Sequence, residues 1–271
     1  IASGATLDLQ NISAAESVRL NGGTLKTSTG SATLTGTVTL GADSTVDVTG
    51  TQLTLSGIIS GSGYGITKTG SGIAVLGAAN TYTGATTLSA GTLVVTDVAG
   101  LGSAAGATTI NGGILDLRAD TSENLILAGG TLKTTTGTGS TSGTVTLNGN
   151  STIDVTGTLT LSGVLSGAYS VTKEGSGTLV LSGANTYSGG TDINTGTLRT
   201  NNNGALGTGA VTVDSGAALD LYGRTISNDL SLAGQYSTAI GALTNSYSTG
   251  TASGAITLTA DASFGGASNF T

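Results

Sequence analysis

The side chains that could do chemistry are few and widely spaced. Fifteen acidic and eight basic residues are spread through 271 positions, with no His and no Cys. Without imidazole there is no general base of the usual kind, no Ser-His-Asp triad and no His-ligated zinc. Without thiols there is no disulfide, thiolate nucleophile or thiolate metal site. Asp214-Ser215-Gly216 has the look of a serine nucleophile's surroundings, but with no base to activate it Ser215 reads as an ordinary hydroxyl. Asp116 and Asp120 form a candidate carboxylate pair of the kind glycoside hydrolysis needs. They stand as isolated acids among Thr and Ser, with no cluster of aromatic side chains to hold a sugar. Gly112-Gly113-Ile114 and Gly265-Gly266-Ala267 begin like a calcium-binding nonapeptide and then fail to continue it. The expectation is therefore no catalytic residue, no cofactor-binding residue, no metal ligand and no cofactor.

Two pairs of corner residues remain. Asn80 and Asn185 sit in matching Asn-Thr-Tyr segments. Their amides suit the satisfaction of turn backbone groups, the alternative being contact with a ligand. Tyr82 and Tyr187 read as rings covering a corner, the alternative being a stacking surface for a sugar. A formal net charge of -7, with basic residues scattered singly from Arg19 to Arg224, argues against nucleic acid and anionic membrane as partners. No apolar run approaches the ~20 residues that span a bilayer as a helix.

The elements that must position these residues are short strands. Gly accounts for 47 residues and Pro for none, so corners can take positive φ while every backbone N–H stays free for a ladder. Alternations such as Leu179-Val180-Leu181 and Thr197-Leu198-Arg199 lie between Gly, Asn and Ser turns and leave no room for a helix. Leu179, Leu198 and Leu219 open strands about 20 residues apart, the period of a solenoid rung with two or three short strands.

A longer repeat overlies that rhythm. The Leu-Asp-Leu strand occurs at 7–9, 115–117 and 219–221. Gly22 to Thr27 returns as Gly129 to Thr134, and Ser44 to Gly50 returns as Ser151 to Gly157. These correspondences define units at 1–109 and 110–212 and a partial third at 213–271. The third departs from the pattern where Gly234-Gln235-Tyr236-Ser237 replaces Gly-Thr-Leu-Lys. The fold expected is all-β, a right-handed parallel β-helix of about 13 rungs, continuous over 1–271. An immunoglobulin-like sandwich would call for a core Trp and a linker between copies, and the chain has no Trp. In each strand the Leu, Ile and Val point inward, which places Asp8, Asp47, Asp116, Asp154 and Asp220 on a solvated outer face.

Gly175 to Leu198 reads G-S-G-T-L-V-L-S-G-A-N-T-Y-S-G-G-T-D-I-N-T-G-T-L, and Gly70 to Leu93 is its near-copy, with Ala85 in place of a Gly. This pattern resembles the autotransporter-associated β-strand repeat found in passenger regions of Gram-negative autotransporters. The resemblance implies a secreted β-helix displayed extracellularly at the outer membrane, an adhesin or its stalk. Its partners would be molecules on host or neighbouring cells, or like fibres. The membrane-inserted β-barrel and the signal peptide of that family would lie outside this window of a longer chain. On this reading the segment is a non-enzymatic stalk or display scaffold. The rival is a carbohydrate-active β-helix enzyme, either a polysaccharide lyase or a glycosidase.

Overall fold

The computed structural model of the chain describes residues 1–234 and 241–271. Gln235, Tyr236 and Ser237, where the third repeat departs from its pattern, lie outside the described residues. Every regular element among the described residues is a β-strand, mostly of two to five residues. The strand pairings are parallel, which removes the sandwich alternative and makes the fold a parallel β-solenoid of about 13 turns. Two compact units, Ile1–Leu132 and Lys133–Thr271, are each built this way.

In the first unit, one face runs through Ser31–Leu34, Gln52–Leu55, Ile73–Leu76 and Thr92–Val95 to Ile114–Leu117. A second face runs through Thr24–Thr27, Ser44–Val48, Ile66–Thr69 and Thr86–Leu88 to Thr108–Ile110. A third, shorter face holds Val18–Asn21, Val38–Ala42 and Ile59–Ser60. It stops at the non-strand segment that carries Asn80 and Tyr82. The second unit repeats the arrangement, its faces passing through Thr158–Leu161, Thr178–Leu181 and Gly196–Thr200, and through Ser151–Val155, Val171–Glu174 and Thr191–Ile193.

Strict alternation supplies the core. In the second unit Leu159, Leu179, Leu198, Leu219 and Leu243 pair in register and are all buried, forming one leucine column. In the first unit Ala32, Leu53, Ala74, Leu93 and Leu115 form the matching column. Each turn thus buries its apolar residues against its own strands and the turns beside it, which makes stability a sum over neighbours.

The long sequence repeat is not a whole number of turns. Leu7 pairs with Leu25 on one face, whereas Leu115, at the same place in the Leu-Asp-Leu pattern, pairs with Leu93 on another. The pattern therefore returns after whole turns plus one further face.

Two of the five acids assigned to the solvated outer face are not solvated. Asp116 and Asp220 are each 2 % exposed. They do point away from the core, but neighbouring side chains close over them. Arg118 lies across Asp116 at 2.8 Å, and Arg199 reaches Asp220 at 2.9 Å. Asp47 and Asp154 are only partly exposed, in ion pairs with Lys26 and Lys133. Asp8 is partly exposed and accepts backbone N–H bonds from Gln10 and Ser28.

Candidate functional site

The most elaborated local structure occurs twice, once in each unit, and begins with an inward-pointing lysine. Alternation along Ile66–Thr69 turns Ile66 and Lys68 inward, and the register sets Lys68 between Val46 and Leu88 in an otherwise apolar column. Lys173 lies likewise between Ile153 and Ile193. The two lysines are 1 % and 0 % exposed. An isolated ammonium there would be costly to bury, but each is met by carbonyls. Lys68 Nζ donates to the carbonyls of Thr69, Gly70 and Ala90 at 2.6, 2.8 and 3.2 Å. Lys173 Nζ donates to those of Glu174, Gly175 and Thr195 at 2.7, 2.7 and 3.1 Å. All three protons of each ammonium are thereby placed. Burial pushes both lysines down to about 8, opposed by Asp47 for Lys68 and by Asp154 and Glu174 for Lys173.

The carbonyls can crowd the ammonium because the next turn carries a glycine. Gly196 has φ +70°, and a Cβ there would stand 2.3 Å from the Gly175 carbonyl oxygen and 2.9 Å from Lys173 Nζ. Gly91 is placed in the same way over Gly70 and Lys68.

The Asn-Thr-Tyr corner completes the structure. Asn185 Oδ1 accepts the Leu165 N–H at 2.8 Å from the turn before, and its Nδ2 donates to the Ala205 carbonyl at 2.6 Å on the turn after. Asn80 does the same between Ile59 and Gly100, at 2.8 and 2.6 Å. Each asparagine therefore ties three successive turns at a point where the ladder of the third face has lapsed. Tyr82 and Tyr187 are fully buried, each with its hydroxyl 2.6 Å from a threonine Oγ1, Thr86 and Thr191 respectively. Burial raises both phenols, Tyr187 to about 12. Neither ring has a face open to a sugar. They fill the corner from inside rather than covering it.

The other residues singled out from sequence are not assembled into a catalytic group. Ser215 lies on an exposed turn with Asp214 and Gly216. Asp116 is buried beneath Arg118, while Asp120 is exposed. Sequence reasoning missed the two lysines, although their signal was present. Both fall at the inward parity of an apolar-x-Lys strand immediately before a Gly-Ser-Gly corner. It also missed Glu123, which is buried, accepts a hydrogen bond from Thr108 Oγ1 at 3.2 Å and is pushed up by burial to about 7.

The fold and these corners define a class, the parallel β-solenoid whose turns are clamped by a recurring motif. The motif coincides with a known family. Residues 66–95 and 171–199 match the passenger-associated transport repeat, and each stretch contains the lysine, asparagine, tyrosine, threonine and glycine just described. The chain is also 36% identical over 194 residues to the adhesin BmaC autotransporter of Brucella suis biovar 1 (strain 1330). That match takes in 66% of this chain and 5% of the Brucella protein, so the chain spans a small fraction of that relative. No solved structure matches. The chain thus carries two copies of the passenger-associated transport repeat and is similar to part of an autotransporter adhesin.

Proposed function

We propose that this chain is a non-enzymatic part of an adhesive passenger at the outer surface of a Gram-negative cell, serving as a spacer and display scaffold. One observation carries the reading. The lysine and asparagine of the family motif are spent on the protein's own backbone and its tyrosine on a buried threonine, each holding turns together or filling a corner. A motif whose lysine, asparagine and tyrosine turn inward in both units serves architecture. The similarity to part of an adhesin supports the adhesive context. Its partners would be molecules on host or neighbouring cells, or like fibres, reached through the passenger as a whole. The two complete repeat units, 1–109 and 110–212, are then interchangeable lengths of scaffold, with 213–271 a partial third.

The test is a deletion at equivalent points of the repeat. Gly70 and Gly175 correspond, so removing 71–175 joins Gly70 to Ser176 with the strand pattern intact. In the full surface-displayed protein this variant should reach the surface in normal amount and retain adhesion. Normal display with adhesion abolished would overturn the scaffold reading and place a binding site within the deleted residues.

A further inference from the structure

A second polar cluster in the second unit faces outward, with both its tyrosines outside the family motif and its arginine at the motif's last residue. Arg199, Tyr222 and Tyr247 come from three successive turns and form one stack. The Arg199 guanidinium lies 4.7 Å from the Tyr222 ring centre, and the Tyr222 and Tyr247 rings are 4.9 Å apart with 24° between their planes. Tyr222 is thus sandwiched, and Tyr247 caps the stack with 59 % of its surface exposed.

Two buried polar side chains hold the stack. Asp220 accepts the Tyr222 N–H at 3.1 Å, the Ser246 N–H at 3.0 Å, the Ser246 hydroxyl at 2.6 Å and Arg199 Nε at 2.9 Å. Asn245, fully buried, accepts the Gly223 N–H at 2.8 Å and donates to the Ser248 carbonyl at 2.7 Å. Both tyrosine-bearing turns are therefore fixed in place before any ligand arrives, which lowers the ordering cost of binding.

The fold does not need aromatic rings at this turn. Asp8 gathers the backbone N–H groups of Gln10 and Ser28 at 3.1 and 3.0 Å, as Asp220 gathers those of Tyr222 and Ser246. Gln10 and Tyr222 follow the same Leu-Asp-Leu strand and share φ 48°. The turn accordingly forms with glutamine in that place, and the left-handed backbone belongs to the turn rather than to the tyrosine.

We infer that the Arg199–Tyr222–Tyr247 stack is a binding platform for a neutral, pyranose-containing glycan. A pyranose ring offers a flat C–H face to an open tyrosine, and the exposed Ser246, Ser248 and Thr249 around Tyr247 supply hydroxyls at the rim. The one cation of the stack, Arg199, is already neutralised by Asp220, and the whole chain carries -7, which disfavours a polyanionic glycan. The inference is independent of the scaffold reading. The deletion of 71–175 leaves the stack in place, so either can fail alone.

The test uses the 271-residue chain on an array of neutral oligosaccharides with their sulfated and sialylated counterparts. Saturation-transfer NMR with lactose follows the array. Neutral glycans should bind and Tyr247 protons should transfer saturation to the sugar ring. Tyr247→Ala and Tyr222→Gln should each weaken binding at least tenfold without changing circular dichroism. If Tyr222→Gln misfolds, Tyr247→Ala decides alone. No binding to any neutral glycan, preference for the anionic counterparts, or unchanged binding by Tyr247→Ala would each overturn the proposal.

Discussion

Lys173 hydrogen-bonds the Thr195 carbonyl, on the following turn, at 3.1 Å while holding the carbonyls of Glu174 and Gly175 on its own. A cation in the middle of an apolar column has thereby become a cross-turn fastener. Lys173→Met would fill the same volume without donors and leave three carbonyls at a tight corner short of a partner. Because unsatisfied buried groups cost about 1–3 kcal/mol apiece and neighbouring losses overlap, the expected penalty is roughly 2–4 kcal/mol. Urea denaturation of the two proteins measures it. A methionine variant as stable as the parent would mean that the ammonium only tolerates its site.

The asparagine clamp makes a sharper prediction, because its amide both donates and accepts. Asn185→Asp keeps the oxygen that faces Leu165 but sets a second oxygen 2.6 Å from the Ala205 carbonyl, where a donor now stands. Asn185→Ala loses both bonds and introduces no repulsion. The aspartate variant should be the less stable at neutral pH, with both losing at least about 2 kcal/mol. Lowering the pH should narrow the gap, since a protonated carboxyl can donate in place of the amide. Denaturant midpoints at two pH values test the order, and equal midpoints at neutral pH would contradict the clamp geometry.

Much of this fold could be read directly from the sequence. Leu179, Leu198 and Leu219, separated by about a turn in sequence, do stack in register. The corner motif from Gly70 and from Gly175 identified the family. What escaped were features set by neighbouring turns. The strand before each motif looked ordinary, because the carbonyls that accept from Lys68 and Lys173 include Ala90 and Thr195, on the next turn. Asp220 faces outward as its parity requires, yet it is buried because Ser246, 26 residues on, folds back over it. Tyr82, a candidate sugar platform by sequence, is interior, whereas Tyr247, which no motif marked, is an open ring. Alternation tells inside from outside along one strand. It is silent on what the adjacent turn lays over the outside.

Leu198 and Thr197 test the alternation itself. Leu198 is fully buried in its column, and Thr197 on the same strand is partly exposed. Leu198→Asp would bury a carboxylate between Leu179 and Leu219 and should cost several kcal/mol, on the order of 4 or more. Thr197→Asp should change stability by no more than about 0.5 kcal/mol. The comparison is of denaturant midpoints. Equal effects would mean that the strand's inward and outward faces are wrongly assigned.

Glu123 gives the first unit a pH dependence with a definite sign. Burial raises its carboxyl from 4.5 to about 7, opposed by the hydrogen bond from Thr108, and Tyr82 lies close enough for its phenol to feel the charge. Between those two values the folded chain holds a proton that the unfolded chain releases. Stability should therefore fall as pH rises from about 4.5 to about 7, by at most about 3 kcal/mol from this group. Above that window the contribution levels off, with the charge buried at its full cost. Glu123→Gln carries no titrating proton, so it should flatten this part of the profile and melt higher than the parent at pH 8. At pH 5 the two should nearly coincide, since the parent is then neutral at this position as well. Thermal melts of both proteins at pH 5 and pH 8 give the four values needed. A parent that gains stability on raising the pH across the window, with the glutamine variant following in parallel, would show that the Glu123 carboxyl is not the group that titrates.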